Sequence, residues 1–468
     1  MLAIVVSRAD EASVHIGDRL RDVGDWRETT DDSRPDGEGG GTVYRTDGAV
    51  LREFDGLHLE LTGVAHAFDD ANLVVFASRH AGETDELLTA HHTGNFGVAE
   101  YGGESGRFAR AAPNAQSAAV AALTDHAPEG YEVGMECTHH GPTDVGAPSL
   151  FVEIGSAEPQ WRDADAAHAV ARAILDLRGV AADAPTENGT RRHLVGVGGG
   201  HYTPRFERVV RETDWAVGHV GADWSLSVLE ELHDDDVDRE TVIQRAFTAS
   251  AAEYALLANG HEELATTIEG LGYRVVEETF VRETTGVSLA FVERAEAAVG
   301  TVDSGLRFGD PATGGVGEWR VFALPDELLA AATGIDADAV RAWFESETLA
   351  FGTEQNGTVV TGPVVLPAAT APDRVVEALA DVLAQRYDSV DRDGSVLHAR
   401  KARFDPARAS ALDVPEGPKF GRLSAGEAVE VDGDRIDPEA VHTERKRTFR
   451  LEISPGAMSD RRQTEGEN

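Results

Sequence analysis

The chain has 468 residues, with 83 Asp and Glu against 42 Lys and Arg, for a formal net charge of −41. At 41% hydrophobic it can bury a substantial core, which excludes a disordered acidic tail. The single cysteine, Cys137, excludes an internal disulfide and a cysteine-rich zinc module.

Only Lys401, Lys419 and Lys446 are lysines; every other basic residue is arginine. A dispersed acidic excess of this size strains a fold by self-repulsion at low salt. At molar salt the Debye length falls to about 3 Å and screens it. The composition therefore predicts a halophilic protein. Leu2–Val6 has no basic stretch before it and is too short for a signal peptide or a membrane span. A cytoplasmic protein with no membrane partner is expected, and the length predicts two or three domains.

Short apolar runs predict buried strands at Leu2–Val6, Leu73–Ala77, Ser149–Ile154, His193–Val197 and Trp215–Val220. Thr29–Gly41, rich in Asp, Gly and Pro, reads as a surface insertion. Ala115–Leu123 and Trp161–Leu177 read as helices, the second from apolar residues at helical spacing. Val242–Asn259 reads as a helix closed by Gly260. Further on, Leu324–Trp343 and Asp373–Tyr387 read as helices and Val359–Leu366 as a strand. Leu423–Val441, with turns at Asp432-Gly433 and Pro438, reads as a small β element. Strands alternating with helices indicate an α/β fold.

Thirteen of the 17 histidines precede residue 220, which places the chemistry in the first part of the chain. Several lie just after an apolar run: Phe76-Ala77-Ser78-Arg79-His80, Met135-Glu136-Cys137-Thr138-His139-His140, and Val197-Gly198-Gly199-Gly200-His201. Leu88-Thr89-Ala90-His91-His92 is a further such segment. In open α/β sheets ligands bind beyond the carboxyl ends of strands, so these histidines are expected to converge on one cleft.

Gly141-Pro142 breaks any strand after His139-His140 and lets both rings face one pocket. Neutral imidazole is the commonest metal ligand, and zinc sites combine it with carboxylates. The candidate ligands are His80, His91, His139, His140 and His201. Glu136 and Glu153 complete the set as ligands or general base, and Glu136, Glu153 and His201 are the catalytic candidates. Gly198-Gly199-Gly200 matches neither a dinucleotide fingerprint nor a P-loop. Its amides are candidates for an oxyanion or a substrate group. Cys137, within an apolar run, reads as a buried small hydrophobe.

These strings resemble the archaeal and plant type of D-aminoacyl-tRNA deacylase, over roughly residues 1–275. Leu88–Gly97, Tyr101-Gly102-Gly103, Thr138–Thr143, Glu153–Ser156 and Gly198–Tyr202 carry the likeness together with Phe76–His80. The resemblance implies a three-layer α/β/α fold with a mixed sheet, related to phosphorylase and hydrolase cores. It also implies two zinc ions per subunit and hydrolysis of the ester joining a D-amino acid to the 3′ ribose of tRNA. A monomer is expected.

On this reading residues 1–282 are the catalytic domain, 283–410 an α+β extension, 411–454 a small β element and 455–468 a tail. Arg205, Arg208 and Arg211, and the cluster Arg445-Lys446-Arg447 with Arg450, are candidate tRNA contacts. The rival readings are a zinc peptidase or amidohydrolase acting on small molecules, and a non-catalytic tRNA-binding protein.

Overall fold

The computed structural model describes residues 1–183, 191–231, 238–258 and 260–451. They divide into two units, Met1–Thr285 and Gly286–Asn468.

The first unit opens with β1 (Leu2–Ser7), β2 (Arg27–Asp31), β3 (Gly41–Thr46), β4 (Ala49–Phe54), β5 (Leu73–Arg79), β6 (Leu87–His91), β7 (Glu132–Met135) and β8 (Ser149–Gly155). They form one mixed sheet in the order β2-β3-β4-β1-β5-β8-β6-β7. Strands β4, β1, β5 and β8 are parallel. Strand β6 runs antiparallel to β8, and β7 follows β6.

The central strands read as unbroken apolar runs because both their faces are covered. Val6 faces the helix Glu11–Val23, where Gly17 permits close packing: a Cβ there would stand 3.1 Å from both Val6 methyls. Asp10 starts that helix by accepting the amides of Ala12 and Ser13. The helix Ala164–Asp176 packs beside it, and Pro113–His126 packs beside that one in turn. On the other face Ala3, Val5, Val74, Phe76 and Phe151 pack with Val64, Ala65 and Phe68. Burying each of the larger side chains contributes roughly 1.5–3 kcal/mol. The stretch read as an insertion instead contributes β2, an edge strand hydrogen-bonded to β3, with the buried Arg52 guanidinium tied to Asp31 at 2.7 Å.

A second, parallel sheet follows, made of β9 (His193–Val197), β10 (Ala216–Gly221), β11 (Tyr254–Leu257) and β12 (Arg274–Val276) in the order β10-β9-β11-β12. The helix expected over Val242–Asn259 ends early. It spans Arg239–Ser250 and stops at Ala251, whose φ of +47° is left-handed. Tyr254–Leu257 then joins β9 as a strand. Beyond β7 the chain is laced to this sheet. The Cys137 amide donates to the His201 carbonyl (2.8 Å), that of Thr138 to Val220 (2.8 Å), and that of Thr203 back to Met135 (2.9 Å). This lacing brings residues from both sheets to one place.

The second unit holds β13 (Leu306–Phe308), β14 (Trp319–Phe322), β15 (Ala350–Glu354) and β16 (Val359–Pro367) in an antiparallel sheet ordered β13-β15-β16-β14. It continues with β17 (Ser389–Asp393), β18 (Val396–Phe404), β19 (Val429–Val431), β20 (Asp434–Ile436) and β21 (His442–Arg450). The stretch Leu324–Trp343 is two helices, Asp326–Thr333 and Ala337–Glu347, interrupted at Gly334 and restarted by Asp336, which caps the Ala339 amide. Asp432 and Gly433, at φ +52° and +94°, make the β19–β20 turn. Strand β21 pairs with β18, so the segment expected at 411–454 contributes His442–Arg450 to a sheet with the preceding segment. The expected tail, 455–468, lies outside the described residues. Among the described residues no helix is long and apolar enough to cross a membrane.

Candidate metal centre and active site

His80, His91, His139, His140, His201, Glu136 and Glu153 meet in one cluster. Phe151 and Glu153 alternate on β8 and so share a face. His91 lies opposite Phe151 and Thr89 opposite Glu153 in the antiparallel β6. The His91 ring stacks on Phe151 at 5.3 Å, and the His140 ring meets it edge-on at 5.1 Å. His80 follows β5 directly, and Glu136 follows β7.

The cluster was expected beyond the carboxyl ends of parallel strands. Because β6 and β7 run against β5 and β8, their ends arrive from the opposite direction. The cluster therefore lies over the face of the sheet.

The polar contacts fix which ring nitrogens face inward. His91 Nδ1 lies 3.1 Å from the His92 carbonyl, His139 Nδ1 2.9 Å from that of Cys137, and His140 Nδ1 2.7 Å from that of Gly141. A carbonyl only accepts, so each Nδ1 carries the proton and each Nε2 keeps a lone pair. His80 is turned the other way, with Nε2 2.8 Å from the Tyr202 hydroxyl and Nδ1 3.1 Å from Glu136 Oε1. His201 Nε2 lies 2.8 Å from Glu136 Oε2. Glu153 stands 3.6 Å from His91 Nε2 and 3.8 Å from His80 Nδ1.

Two buried atoms here lack a well-formed hydrogen bond among the described residues: His91 Nε2, and Glu136 Oε1, which meets His80 Nδ1 at 3.1 Å as an ion-pair contact only. Unpaired buried polar atoms are costly, and a cation would satisfy both. Three donors lie mutually close in each of several sets, among them His91–His139–His140, His80–Glu136–His201 and His91–Glu136–Glu153. The donor chemistry fits a metal ion.

The electrostatics separate the donors. Burial alone would raise Glu136, but the hydrogen bond of His201 and the close contact of His80 outweigh it and hold the carboxyl well below its usual range. Burial raises Glu153 despite its contact with His91. Desolvation lowers His139 to about 3 and carries His140 well below the usual imidazole range, keeping both neutral and able to ligate. Burial opposes charge on His80 and His91 too, but their carboxylate partners outweigh it and raise both. Burial pushes the Cys137 thiol up to about 12, in keeping with a structural role.

Glycines hold this arrangement. A Cβ on Gly155 would stand 2.7 Å from His80 Cδ2, and one on Gly141 would stand 2.4 Å from the Gly103 amide nitrogen. The Tyr101-Gly102-Gly103 string is thereby explained, since it packs directly against the His139-His140 turn.

The cluster floors a cavity of about 960 Å³ lined by His80, His139, His140, Glu153 and His201. Asp10 and Arg79 also line it, and Val98, Tyr101 and Trp224 lie along it with 52%, 67% and 50% of their surface exposed. Tyr202, Asp10, Tyr101 and Trp224 are site residues that sequence reasoning did not single out. Tyr202 and Tyr101 stand within strings that it used, whereas Trp224 leaves no signal.

The glycine loop does not act as expected. Gly198 donates its amide to the Gly221 carbonyl (2.7 Å) and Gly199 to Asp223 (3.0 Å), and neither they nor Gly200 line the cavity. With φ of +93° at both Gly198 and Gly199, the loop serves to turn His201 and Tyr202 inward. Arg205, Arg208 and Arg211 are engaged within the protein. Arg208 forks onto Glu278 at 3.0 and 2.9 Å, Arg211 holds Glu207 at 2.7 Å, and Arg205 reaches the Leu257 carbonyl at 2.9 Å.

A sequence model of the D-aminoacyl-tRNA deacylase family matches residues 67–276. A D-aminoacyl-tRNA deacylase of Haloarcula marismortui is 62% identical, matching 96% of this chain and all of its own. That of Natronomonas pharaonis is 54% identical with the same coverage, and that of Methanococcoides burtonii 28% identical over 96% of both chains. The likeness thus extends far beyond residue 275, and the second unit is shared with these relatives. A crystal structure of a conserved protein of unknown function, 30% identical, superposes with a TM-score of 0.51 over 61% of this chain and 98% of its own. The donor cluster sits within the stretch that the family model matches, and the chain belongs to the D-aminoacyl-tRNA deacylase family.

Proposed function

We propose that the cluster holds two zinc ions and hydrolyses the ester of D-aminoacyl-tRNA, releasing D-amino acid and tRNA. The observation that carries this reading is the set of imidazole and carboxylate donors gathered within ligand distance of one another, with the buried His91 Nε2 left without a hydrogen bond, on the floor of an open cavity. His91, His139 and His140 would hold one ion, and His80, Glu136 and His201 the other, with Glu153 between them. Bound zinc supplies Lewis acidity, which polarises the ester and makes water nucleophilic near neutral pH.

The protein's own groups handle the protons. Glu153, raised by burial, accepts a proton from the attacking water. The water oxygen bonds to the ester carbon, and the bond from that carbon to the ribose oxygen breaks. Glu153 then returns that proton to the departing ribose oxygen, while His201 stays held by Glu136 at 2.8 Å. Aromatic faces suit a nucleobase, since stacking is tolerant of sequence. Tyr101 and Trp224 form the seat of the terminal base.

The experiment uses protein purified in high KCl. Metal analysis should find zinc, and the protein should cleave D-tyrosyl-tRNA far faster than L-tyrosyl-tRNA. Chelation should abolish the cleavage, and zinc should restore it. Equal loss of both esters, or turnover indifferent to chelation, would defeat the reading.

A further inference from the structure

We infer that the two-stranded ribbon β18–β21 of the second unit is a docking surface for the phosphate backbone of tRNA. Within a chain in which acidic residues outnumber basic ones about two to one, this ribbon reverses the balance. Strand β18 carries Arg400, Lys401 and Arg403, and β21 carries Arg445, Lys446, Arg447 and Arg450; their one acidic residue is Glu444. Two of the chain's three lysines lie here.

The register makes this concentration costly. Lys401 lies directly opposite Arg445, and Arg400 opposite Lys446. Like charges directly opposed on neighbouring strands destabilise the pairing. The inner ends of the strands are apolar, with Leu397, Ala399 and Phe449 buried in the unit's core. The charges gather where the ribbon extends past that core: Lys401, Arg403, Arg445, Lys446 and Arg447 are all exposed.

Many arginines elsewhere are taken up by carboxylates, as Arg208 is by Glu278 and Arg8 by Asp36, Glu53 and Asp55, whereas those without an ion pair among the described residues, such as Arg27, Arg172 and Arg320, are scattered singly. On the ribbon Arg400 pairs with Asp391. Arg403, Arg445, Lys446 and Arg450 have no ion pair among the described residues. Protection of a sheet edge against aggregation does not account for the pattern. Strand β21 is an edge of its three-stranded sheet, but edge charges of either sign serve that purpose and acid is the default in this chain, so edge protection leaves the choice of cations unexplained.

Unneutralised cations on a twisted ribbon fit a phosphate chain, which positions a nucleic acid without reading its sequence. Attraction to phosphate falls steeply with salt. At the high salt that the composition implies, only a dense local set of cations retains useful attraction. The choice of tRNA as occupant rests on the proposed function, whose substrate is a polyanion.

The test uses the full chain with Arg403→Gln, Arg445→Gln and Lys446→Gln combined. A control, Arg19→Gln, Arg172→Gln and Arg178→Gln, changes net charge equally. Circular dichroism checks the fold of both. Binding of uncharged tRNA is followed by fluorescence anisotropy across the KCl range in which the protein stays folded. KM and kcat are measured on D-tyrosyl-tRNA and on D-tyrosyl-adenosine, an ester without a phosphate backbone. The ribbon variant should bind tRNA at least about 5-fold more weakly and lose about two units of slope in log Kd against log salt. Its KM should rise for tRNA and not for the short ester. A folded ribbon variant with the affinity and slope of the control would overturn the inference. Wild-type protein that binds tRNA through the ribbon but cleaves neither ester would sustain the inference and refute the proposed function.

Discussion

Gly155 offers a direct probe of how finely the cluster is held. It ends β8, two residues beyond Glu153, and the His80 ring lies across its open face. A methyl group there would stand 2.7 Å from His80 Cδ2, 2.9 Å from Cβ and 3.1 Å from Cγ. Ordinary carbon contacts begin near 3.5 Å, so Gly155→Ala must displace the ring by about 0.8 Å. His80 has little freedom to comply. Its amide donates to the Ile154 carbonyl (2.9 Å), its carbonyl accepts the Trp161 indole (2.9 Å), and its Nε2 meets Tyr202 (2.8 Å). Overpacking of this kind costs about 1–3 kcal/mol of stability, and a misplacement near 1 Å costs about 10²-fold in rate. The expected result is kcat/KM on D-tyrosyl-tRNA down about 10²-fold, reduced bound zinc, and a Tm lower by several degrees. Gly134→Ala on β7 is the control: its nearest atoms would lie 3.8 Å away, so activity and Tm should hold. If Gly155→Ala kept wild-type zinc content and kcat/KM, the close fit of His80 on β8 would not matter to the site.

Three further outcomes are expected. Glu136→Gln removes the carboxylate that contacts His80, His139 and His201. Bound metal should fall, and activity should drop more than the roughly 10–100-fold typical of outer partners of a ligand. Chelation should lower the Tm of the wild type, because ligand binding to the folded state is lost, but should scarcely move that of Glu136→Gln. Tyr101→Ala and Trp224→Ala should each raise KM for D-tyrosyl-tRNA by an amount equivalent to about 1–3 kcal/mol of stacking, with kcat little changed. Last, burial lowers His58 and His92 to about 3 and His219 to about 4. An unfolded histidine binds its proton near pH 6.5, so the unfolded chain takes up protons first as pH falls. The stability that these residues hold when neutral is complete above pH 6.5. It drains away from about 6.5 down to about 4 for His219 and about 3 for His58 and His92, at up to about 1.4 kcal/mol per pH unit for each residue. Denaturant unfolding of metal-free protein at pH 7 and pH 5 checks this. A flat profile would contradict neutral burial.

The cluster was legible because its residue types are chemically scarce and recur next to apolar runs. Its geometry was not, because strand direction depends on pairing partners far away in sequence. Nothing in Leu87–His91 tells that it runs against β8, and that reversal moves the site from the sheet's end to its face. Tyr254–Leu257 reads equally as helix or strand, since four apolar residues carry no decisive period. Its pairing with β9 decides it. Hydrogen-bond engagement is equally invisible in one dimension. Gly198 and Gly199 have the right composition for an anion loop, yet their amides are already taken. Arg208 looks like a free cation until Glu278, 70 residues away, is placed against it. Trp224 left no trace, because an exposed tryptophan gains meaning only from the cavity beside it.

The same consideration changes the meaning of the net charge. Taken as a total, −41 argues against a polyanionic substrate. What a phosphate meets is local, and within the first unit the arginines of the predicted patch face carboxylates at salt-bridge distance. Such pairs present little field beyond a few ångströms at high ionic strength. On the proposed function, recognition there acts at contact range, through the ester over the donor cluster and a base against Tyr101 and Trp224. The ribbon β18–β21 is the complement, a place where cations are left unpaired at the expense of the strand pairing that holds them. An enzyme working in high salt cannot steer its substrate from a distance. Cations left unpaired on the ribbon act only on a phosphate in contact with them.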